Sequence, residues 1–503
     1  MATRPVASSN MAGKEMQRPV MLLVVLSLLL LAGCGEPNGR LAQTATVPPT
    51  PMESAAAMQP TVAAAAFHGQ GTFAFVSAGG LYLLDGDAGT LRMIPAAGPV
   101  SHPTWSFDGR WLAYLVRGDA GNGERQLWVV RADGQGAHRA LGASIANVLG
   151  FSYAPPVEPI PGFAWSPTAD LLVVIPRGAQ PAMGNGLWLV PAEGAPRELI
   201  PAPPQAESVA SFAWSPDGTT IAYSTLWPRH NGPLFTIPVA GGIPNELPLP
   251  ARPTNDLLIV AGWWPDGRGL LFWVDEHGSG SIAADGLDLT SVALTGGTPT
   301  ILAETLVNPA WVAWSPDGHH LLLVAGGARE VWKGGKALTL CTMPAGICQP
   351  LPQPSNTVSL DPAWSPDGAR FVFARFAAGS PTRDGTPIVP GFGPEAIAAW
   401  QRTAAVWVAN ADGTGMRAMT PSAGGSGGVT PRWAKDGTHL LAVREDAVWL
   451  LDLNGSAPRR IAGPLAGGAG LSGYYGLIDW AAYIAWDRAT GPLSSASTAL
   501  RYS

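Results

Sequence analysis

One six-residue phrase, AWSPDG, occurs three times in the chain, at 213–218, 313–318 and 363–368. Looser copies raise the number of tryptophan-centred units to seven, with the tryptophans at Trp105, Trp165, Trp214, Trp264, Trp314, Trp364 and Trp433. Successive tryptophans are 60, 49, 50, 50, 50 and 69 residues apart. A repeat of this length is typical of a propeller or a solenoid, so the chain is expected to consist of many copies of one small structural unit.

Each unit has the same internal order of strands and turns. The strand that carries the tryptophan is followed by the Ser-Pro-Asp-Gly turn and a short apolar strand such as TIAYST. A polar loop, a third strand such as LWVVRADG and a short closing strand such as RELI complete the unit. No helical period competes with this pattern. Four strands in a meander, joined by tight turns, therefore predict an all-β chain.

The repeated phrase has a structural explanation. Ser accepts a hydrogen bond at the first turn position, Pro fixes φ at the second, Asp suits the third and Gly takes a positive φ at the fourth. The tryptophan is large enough to fill the wedge between two neighbouring units. The motif positions are therefore interpreted as architecture; besides the seven tryptophans they are Asp217, Gly218, Asp317, Gly318, Asp367 and Gly368.

The pattern x-W-S-P-D-G-x-x-(I/L)-A-(Y/F) resembles the WD40-like (PD40) repeat of the carboxy-terminal propeller domain of the TolB family. The resemblance covers residues 70–490 and implies a β-propeller of four-stranded blades. The chain departs from TolB in that residues 35–66, rich in Ala, Pro and Thr, precede the repeats where TolB has an α/β domain. A lipid anchor, which the N-terminus predicts below, would be a second difference.

The two ends of the repeat region predict how the ring closes. Residues 72–95 supply three strands with no tryptophan strand before them, and 476–486 supply a late strand around Trp480. Together they make one composite blade, which closes the ring and removes its open edges. Seven units and the composite give eight blades; the alternative is seven, if 476–486 only decorates an edge.

The N-terminus predicts export. Lys14 and Arg18 precede a short apolar run at 19–31, and the run ends in LAGC at 31–34. This order is typical of a secretory signal peptide, here 1–33. LAGC also resembles the lipobox of bacterial lipoproteins, which implies a lipid on Cys34 and attachment to a membrane of the cell envelope; an ordinary signal peptide is the alternative. Residues 34–69 then form a flexible tether, and 491–503 a disordered tail.

Loop lengths distinguish the two ends of the ring. The SPDG and ADG-type turns are short and lie at one end, the uniform face; the links between second and third strands and between blades lie at the other, the irregular face. Binding residues tend to lie in loops on a rigid scaffold. The candidates, expected to be exposed, are Tyr153, Trp227, Arg229, His230, Asp275, His277, Arg383, Asp384, Trp400 and Arg402.

Motifs for catalysis, metals and nucleic acids are missing from the sequence. There is no HExxH or Walker sequence and no GxSxG nucleophile elbow of the hydrolase type, and the eight histidines are scattered. No catalytic residue, metal or cofactor is therefore predicted. The net charge of -6 comes without a basic stripe, which argues against nucleic acid as a partner.

Two cysteines are expected to face each other. Cys341 and Cys348 flank a turn in TMPAGI, and counting outwards from the turn puts them directly opposite in a hairpin. An exported compartment allows a disulfide there, and a pair of free thiols is the alternative.

The sequence favours a non-catalytic binder of an unknown envelope protein or saccharide. One alternative is a propeller enzyme of the polysaccharide lyase or glycosidase type, acting at the central channel. The other is a structural scaffold of the envelope.

Overall fold

The computed structural model describes residues 59–118, 125–145, 162–176, 186–201, 208–226, 233–250, 256–276, 286–332, 335–379, 382–383, 386–387, 399–420, 429–444, 446–465 and 480–487. All structural statements below concern these residues.

The regular secondary structure of the described chain is almost entirely β-strand. The first strands are β1 (Thr61–Val62), β2 (Thr72–Ser77), β3 (Gly80–Asp85), β4 (Thr90–Ile94), β5 (Val100–Trp105), β6 (Trp111–Arg117), β7 (Arg125–Arg131), β8 (His138–Arg139), β9 (Phe163–Trp165), β10 (Leu171–Val174), β11 (Leu187–Pro191) and β12 (Arg197–Ile200). The next are β13 (Ser208–Trp214), β14 (Thr220–Leu226), β15 (Leu234–Pro238), β16 (Asn245–Glu246), β17 (Leu257–Trp263), β18 (Gly269–Asp275), β19 (Gly286–Ala293), β20 (Thr300–Leu306), β21 (Val312–Trp314), β22 (His320–Ala325), β23 (Ala337–Thr342) and β24 (Ile347–Pro350). The last are β25 (Thr357–Trp364), β26 (Arg370–Ala377), β27 (Thr382–Arg383), β28 (Thr386–Pro387), β29 (Ala405–Asn410), β30 (Arg417–Ala418), β31 (Val429–Trp433), β32 (His439–Arg444), β33 (Ala447–Asp452), β34 (Arg459–Gly463) and β35 (Ile484–Trp486). Three short 3₁₀ segments accompany them, Ala64–Phe67, Pro309–Trp311 and Trp480–Ala482.

The strands form eight antiparallel blades arranged in a ring as a β-propeller, which confirms the predicted fold and blade number. In strand order from the first edge, blade 1 is β35-β2-β3-β4, blade 2 is β5 to β8, blade 3 is β9 to β12, blade 4 is β13 to β16, blade 5 is β17 to β20, blade 6 is β21 to β24, blade 7 is β25-β26-β29-β30, and blade 8 is β31 to β34. The hairpin β27–β28 lies in the link between β26 and β29 of blade 7.

The first strand of each blade is the inner one. First strands such as β13 and β17 are buried along almost their whole length, whereas fourth strands such as β8 and β16 are exposed. First strands of neighbouring blades also touch, as β13 touches β17 and β25 touches β31. Apolar side chains therefore fill the spaces between blades, where alternate residues of each strand face the two neighbours.

Both ends of the repeat region contribute to closure. Strand β35 pairs with β2, so blade 1 is the composite blade that the sequence predicts. The late strand, however, is Ile484–Trp486 and ends with Trp486; Trp480 belongs to a 3₁₀ segment before it. The identification of Trp480 as the strand residue was therefore wrong, because the apolar run GLIDWAAYIAW offers two tryptophans.

The ordered fold begins before residue 70. Strand β1 pairs with β34 as a fifth, outer strand of blade 8. Phe67 follows in the 3₁₀ segment and is completely buried against Phe73 and Trp486. The predicted end of the tether at 69 is therefore too late, and residues 61–67 belong to the propeller.

Candidate functional site

The motif tryptophans link the blades through their indole N–H groups. The Nε1 atom of Trp214 donates to the carbonyl of Ala164, the residue before the tryptophan of blade 3, at 3.1 Å. The same bond recurs at 2.9–3.2 Å, from Trp105 to Ala485, Trp165 to Thr104, Trp263 to Ala213, Trp364 to Ala313 and Trp433 to Ala363. Each of these six tryptophans therefore fills the wedge to the preceding blade and is also hydrogen-bonded to it.

Trp263, and not Trp264, is the motif tryptophan of blade 5. Trp263 pairs with Leu270, seven residues on, as Trp214 pairs with Ile221 in blade 4. Trp264 stands at the turn-serine position, and its Nε1 donates to the hydroxyl of Ser291. The assignment of Trp264 was wrong because two tryptophans are adjacent in GWWPDG, and the sequence alone does not choose between them.

The series of indole bonds is interrupted at blade 6. The Nε1 atom of Trp314 is buried and has no hydrogen-bond partner among the described residues. Its counterpart in the preceding blade is the carbonyl of Gly262, which lies beside an irregularity in the β17–β18 register. A buried donor without an acceptor is costly, so the wedge at Trp314 stabilises the ring less than the others.

The SPDG turns are closed by their own side chains. In blade 4 the Ser215 hydroxyl donates to Asp217 at 2.6 Å and accepts from the Thr220 backbone N–H at 2.9 Å. Asp217 also accepts from the Thr219 backbone N–H, and Gly218 closes the turn at φ 70°. The turns at 315–318 and 365–368 have the same bonds. The motif carboxylates are therefore occupied in holding the turns.

These turns also pack against each other around the uniform face. An added Cβ on Gly318 would lie 3.2 Å from Pro265 of the preceding blade, and one on Gly368 would lie 3.4 Å from Pro316. At blades 2 and 3 the contact is an ion pair, with Arg110 Nη2 2.6 Å from Asp170. The face that carries the repeated phrase is thus a rim of interlocking turns, which explains why the phrase repeats.

The turn carboxylates predict acid sensitivity. The Ser215 hydroxyl lowers the pKa of Asp217, and the Ser365 hydroxyl does the same for Asp367. At Asp317 burial acts to raise the pKa, but the bonds from Ser315 and the His319 backbone N–H outweigh it and the pKa is lowered.

A carboxylate whose pKa is lower in the folded than in the unfolded chain stabilises the fold at pH values above its pKa in the unfolded chain. This stabilisation is lost as the pH falls through its pKa in the folded chain. We expect the melting temperature to fall as the pH drops below the ordinary aspartate pKa of 3.8. Thermal unfolding followed by circular dichroism across this range measures the effect. The triple variant Asp217→Asn, Asp317→Asn and Asp367→Asn should show a weaker dependence of melting temperature on pH. A dependence as steep as that of the wild type would contradict the role given to these three carboxylates.

Gly218 and Gly437 form a matched pair for testing the interlocking rim. Both have left-handed φ, 70° and 68°, but a Cβ at 218 would lie 2.2 Å from the Thr168 hydroxyl of blade 3, whereas at 437 the nearest atom is 3.9 Å away. Gly437→Ala should cost about 1–2 kcal/mol for the backbone alone. Gly218→Ala should cost more than this, as measured by denaturant unfolding. Equal losses would show that the turns do not support one another.

The structure describes four of the ten candidate binding residues. Tyr153, Trp227, Arg229, His230, His277 and Asp384 lie outside the described residues. Arg383 is in the β27–β28 hairpin, where only the backbone is described. Arg402 is exposed as expected. Asp275 and Trp400 are 2% and 3% exposed, so the expectation that they are exposed was wrong.

Trp400 anchors the end of the longest link. Its ring stacks on Phe376 with centroids 4.2 Å apart, and its Nε1 donates to the Ala377 carbonyl at 2.9 Å. The Thr403 hydroxyl accepts from the Ala377 backbone N–H at 3.1 Å. A large aromatic residue in a loop is therefore here a packing residue, which holds the exposed Arg402 on a fixed base.

Sequence reasoning missed a buried carboxylate on the inner strands. Asp361 Oδ1 accepts from Trp311 Nε1 of the blade 6 segment at 3.1 Å, and Oδ2 accepts from the Thr430 hydroxyl of blade 8 at 2.9 Å. Burial raises the pKa of Asp361, although nearby Arg432 and these hydrogen bonds act in the opposite direction. One side chain of blade 7 thus joins three consecutive blades beside the channel.

A local signal for this position exists in the sequence. His102, Asp361 and Thr430 each lie three residues before the motif tryptophan, directly before a proline, and have positive φ values of 53°, 54° and 51°. Each lies in a register shift of its inner strand. Positive φ is rare for residues other than glycine, and bulges re-aim side chains. Before the motif tryptophan, a polar residue in front of Pro-x-Trp therefore marks an inner-strand bulge, whereas Asn308 before Pro309-Ala310-Trp311 has φ -136° and caps a 3₁₀ segment.

The remaining chemistry is limited. Cys341 and Cys348 lie directly opposite in the β23–β24 hairpin, and their sulfur atoms form a disulfide. Within the described residues no group of three His, Cys, Asp or Glu side chains is arranged to hold a metal ion. The same residues contain no helix with the length and apolar character needed to cross a membrane.

The structure resembles solved propellers only distantly. No protein family matches the sequence, and no curated protein does so. TolB from Agrobacterium tumefaciens is 19% identical, with 54% of this chain and 86% of that chain aligned and a TM-score of 0.29. TolB from Acinetobacter baumannii is 12% identical over 57% and 64%, with a TM-score of 0.34. A puromycin hydrolase is 16% identical over 75% and 56%, with a TM-score of 0.47. These likenesses concern the fold alone.

Proposed function

We propose that this chain is an exported, lipid-anchored propeller that binds a protein partner or other ligand at the bacterial cell envelope through its irregular face, without catalysing a reaction. The observation that carries the proposal is the contrast between the two faces. On the uniform face the repeated polar side chains hold turns and join blades. On the irregular face the links are long in sequence, and the described end of the longest one presents exposed Arg402 next to Trp400, which is fixed by packing and a hydrogen bond.

The inner strands support binding over catalysis at the channel. Their ionisable side chains, in the part of the chain that the structure describes, are His102, Asp361 and Arg432. Asp361 already accepts hydrogen bonds from two neighbouring blades with both oxygens. An enzyme of the lyase or glycosidase type needs several ionisable groups that converge on one substrate bond. Asp361, whose two oxygens are already hydrogen-bonded, is better suited to holding blades together.

A pair of charge reversals tests the binding face. Arg402 is exposed on the irregular face, and Arg268 is exposed on the uniform face in the turn of blade 5. Partners are first captured by cross-linking from detergent-solubilised envelope and purified, and saccharides are screened on a glycan array. Arg402→Glu should weaken binding of the purified partner, and Arg268→Glu should leave it unchanged. The reverse pattern would overturn the proposal.

The anchor is tested separately. Export and lipidation are supported by the sequence at 19–34, which lies outside the described residues. The mature chain should begin at Cys34 and carry the added mass of its lipid, and it should partition into the detergent phase. Cys34→Ser should remove both properties. An unmodified Cys34 in the mature wild-type protein would leave an ordinary signal peptide as the explanation.

A further inference from the structure

Arg375 is a buried cation close to the irregular face. It lies on β26 two residues before the strand ends, where the longest link begins, and is 7% exposed. Its Nε donates to the Ser359 hydroxyl on the adjacent inner strand at 3.2 Å. Its Nη2 lies 3.6 Å from the sulfur of Met416, near the outer strand of the blade. The side chain therefore runs along the blade from its inner to its outer side.

Aromatic rings flank the guanidinium group. Its Cζ lies 4.4 Å from the centre of the Trp407 ring and 5.0 Å from that of Phe373. A guanidinium has five N–H donors in a planar fork, and here one of them has a hydroxyl acceptor and another only a weak thioether acceptor. No carboxylate of the described chain forms an ion pair with it. Burial alone lowers the pKa of Arg375 to about 10, so the group is charged at neutral pH.

We propose that Arg375 binds the carboxylate of an Asp or Glu side chain that a partner protein inserts from the irregular face. This rests on the proposed function and specifies the chemistry of the partner. A buried charge is normally paired, and Arg375 has unused donors in the geometry that a carboxylate accepts. The propeller supplies the positive charge of the pair, and the partner's carboxylate supplies the negative charge.

The surroundings favour a carboxylate on a protein side chain. A phosphate carries more charge and is usually met by several cations and backbone N–H groups, whereas Arg375 is a single guanidinium. Phe373, Trp407 and Met416 give it apolar walls, which suit the methylene groups of Asp or Glu better than the hydroxyls of a sugar. The occupant is therefore an acidic side chain with few other polar groups close to it.

The test uses the full chain with arginine labelled with ¹⁵N and two matched probes. N-acetyl-glutamate amide carries the carboxylate, and N-acetyl-glutamine amide has the same shape without the charge. The Nε–Hε resonance that disappears in Arg375→Met is followed by NMR at constant ionic strength. It should shift and saturate with the glutamate probe and stay unchanged with the glutamine probe. Arg375→Lys, which loses the planar fork, should bind about tenfold or more weakly.

Thermal unfolding provides a second readout that a purely structural arginine would not give. If the charge awaits a ligand, Arg375→Met removes an unpaired buried charge and should melt at the same temperature as the wild type or higher. A lower melting temperature together with no response to the glutamate probe would show that Arg375 serves only to pack against the aromatic rings, and would overturn the proposal.

One further outcome also overturns it. The 380–398 link contains the carboxylates Asp384 and Glu395. If the wild type ignores the glutamate probe but a chain with Asp384→Asn and Glu395→Gln responds to it, the site is filled by the chain itself. Because these titrations require no partner, their failure would leave the irregular-face proposal to be decided by the charge reversals at 402 and 268.

Discussion

Deletion of residues 480–503 is expected to abolish cooperative folding. It removes the inner strand of blade 1, the Ala485 carbonyl that accepts from Trp105, and the buried rings of Trp480 and Trp486. Loss of each buried tryptophan costs about 3–5 kcal/mol. The loss of both rings is therefore comparable to the total free energy of unfolding of a typical domain, about 5–15 kcal/mol. Circular dichroism and size-exclusion chromatography should show a broad thermal transition and an expanded or aggregated chain.

A shorter deletion is the control. Removal of 491–503, the predicted tail, leaves β35 in place and should change the melting temperature little. If the 480–503 deletion melts as sharply as the wild type, the ring does not depend on the composite blade and the closure described above is wrong.

The second large effect concerns the tryptophan wedges. Trp214→Ala should destabilise the chain by about 3–5 kcal/mol, because the ring is completely buried and the cavity cannot be refilled from solvent. Trp214→Phe retains much of the apolar volume but removes the donor to Ala164. Trp214→Phe should therefore lose less stability than Trp214→Ala, but the loss should still be measurable as a shift of the denaturant midpoint.

Trp314→Phe is the matched control for the hydrogen bond. It changes the same kind of ring in the wedge between blades 5 and 6 but removes an indole N–H that has no partner among the described residues. It should cost about 1–3 kcal/mol less than Trp214→Phe, the usual difference between losing a hydrogen bond and losing a buried unsatisfied group. Equal losses in the two variants would show that the indole bonds contribute little and that the wedges act through volume alone.

The sequence predicted the fold because each blade carries its own marker. The Trp-Ser-Pro-Asp-Gly phrase is a local feature, since the turn and the wedge are specified within a few residues. The composite blade could be predicted because three strands were left over at 72–95. The errors arose where the local pattern was ambiguous: two adjacent tryptophans at 263–264, and two apolar alternatives at 480 and 486. The strand Thr61–Val62 was missed because two residues carry no periodic signal.

The site was less predictable for a physical reason. The contacts of Asp361 join residues 50 and 69 positions away in the chain, and only the closed ring brings them together. Asp275 and Trp400 were expected at the surface because loop residues usually lie there, but both are buried. Arg375 looked like an ordinary strand residue, and its lack of a carboxylate partner is visible only once its surroundings are known.

The most direct test of the division between the two faces is hydrogen–deuterium exchange of the full chain with and without a purified partner. We expect new protection in the links of the irregular face, above all at 378–404 around Arg402. The turns at 215–218, 315–318 and 365–368 should exchange equally in both states. Protection confined to these turns would contradict the account, because it would place the binding surface on the face that the repeated phrase builds.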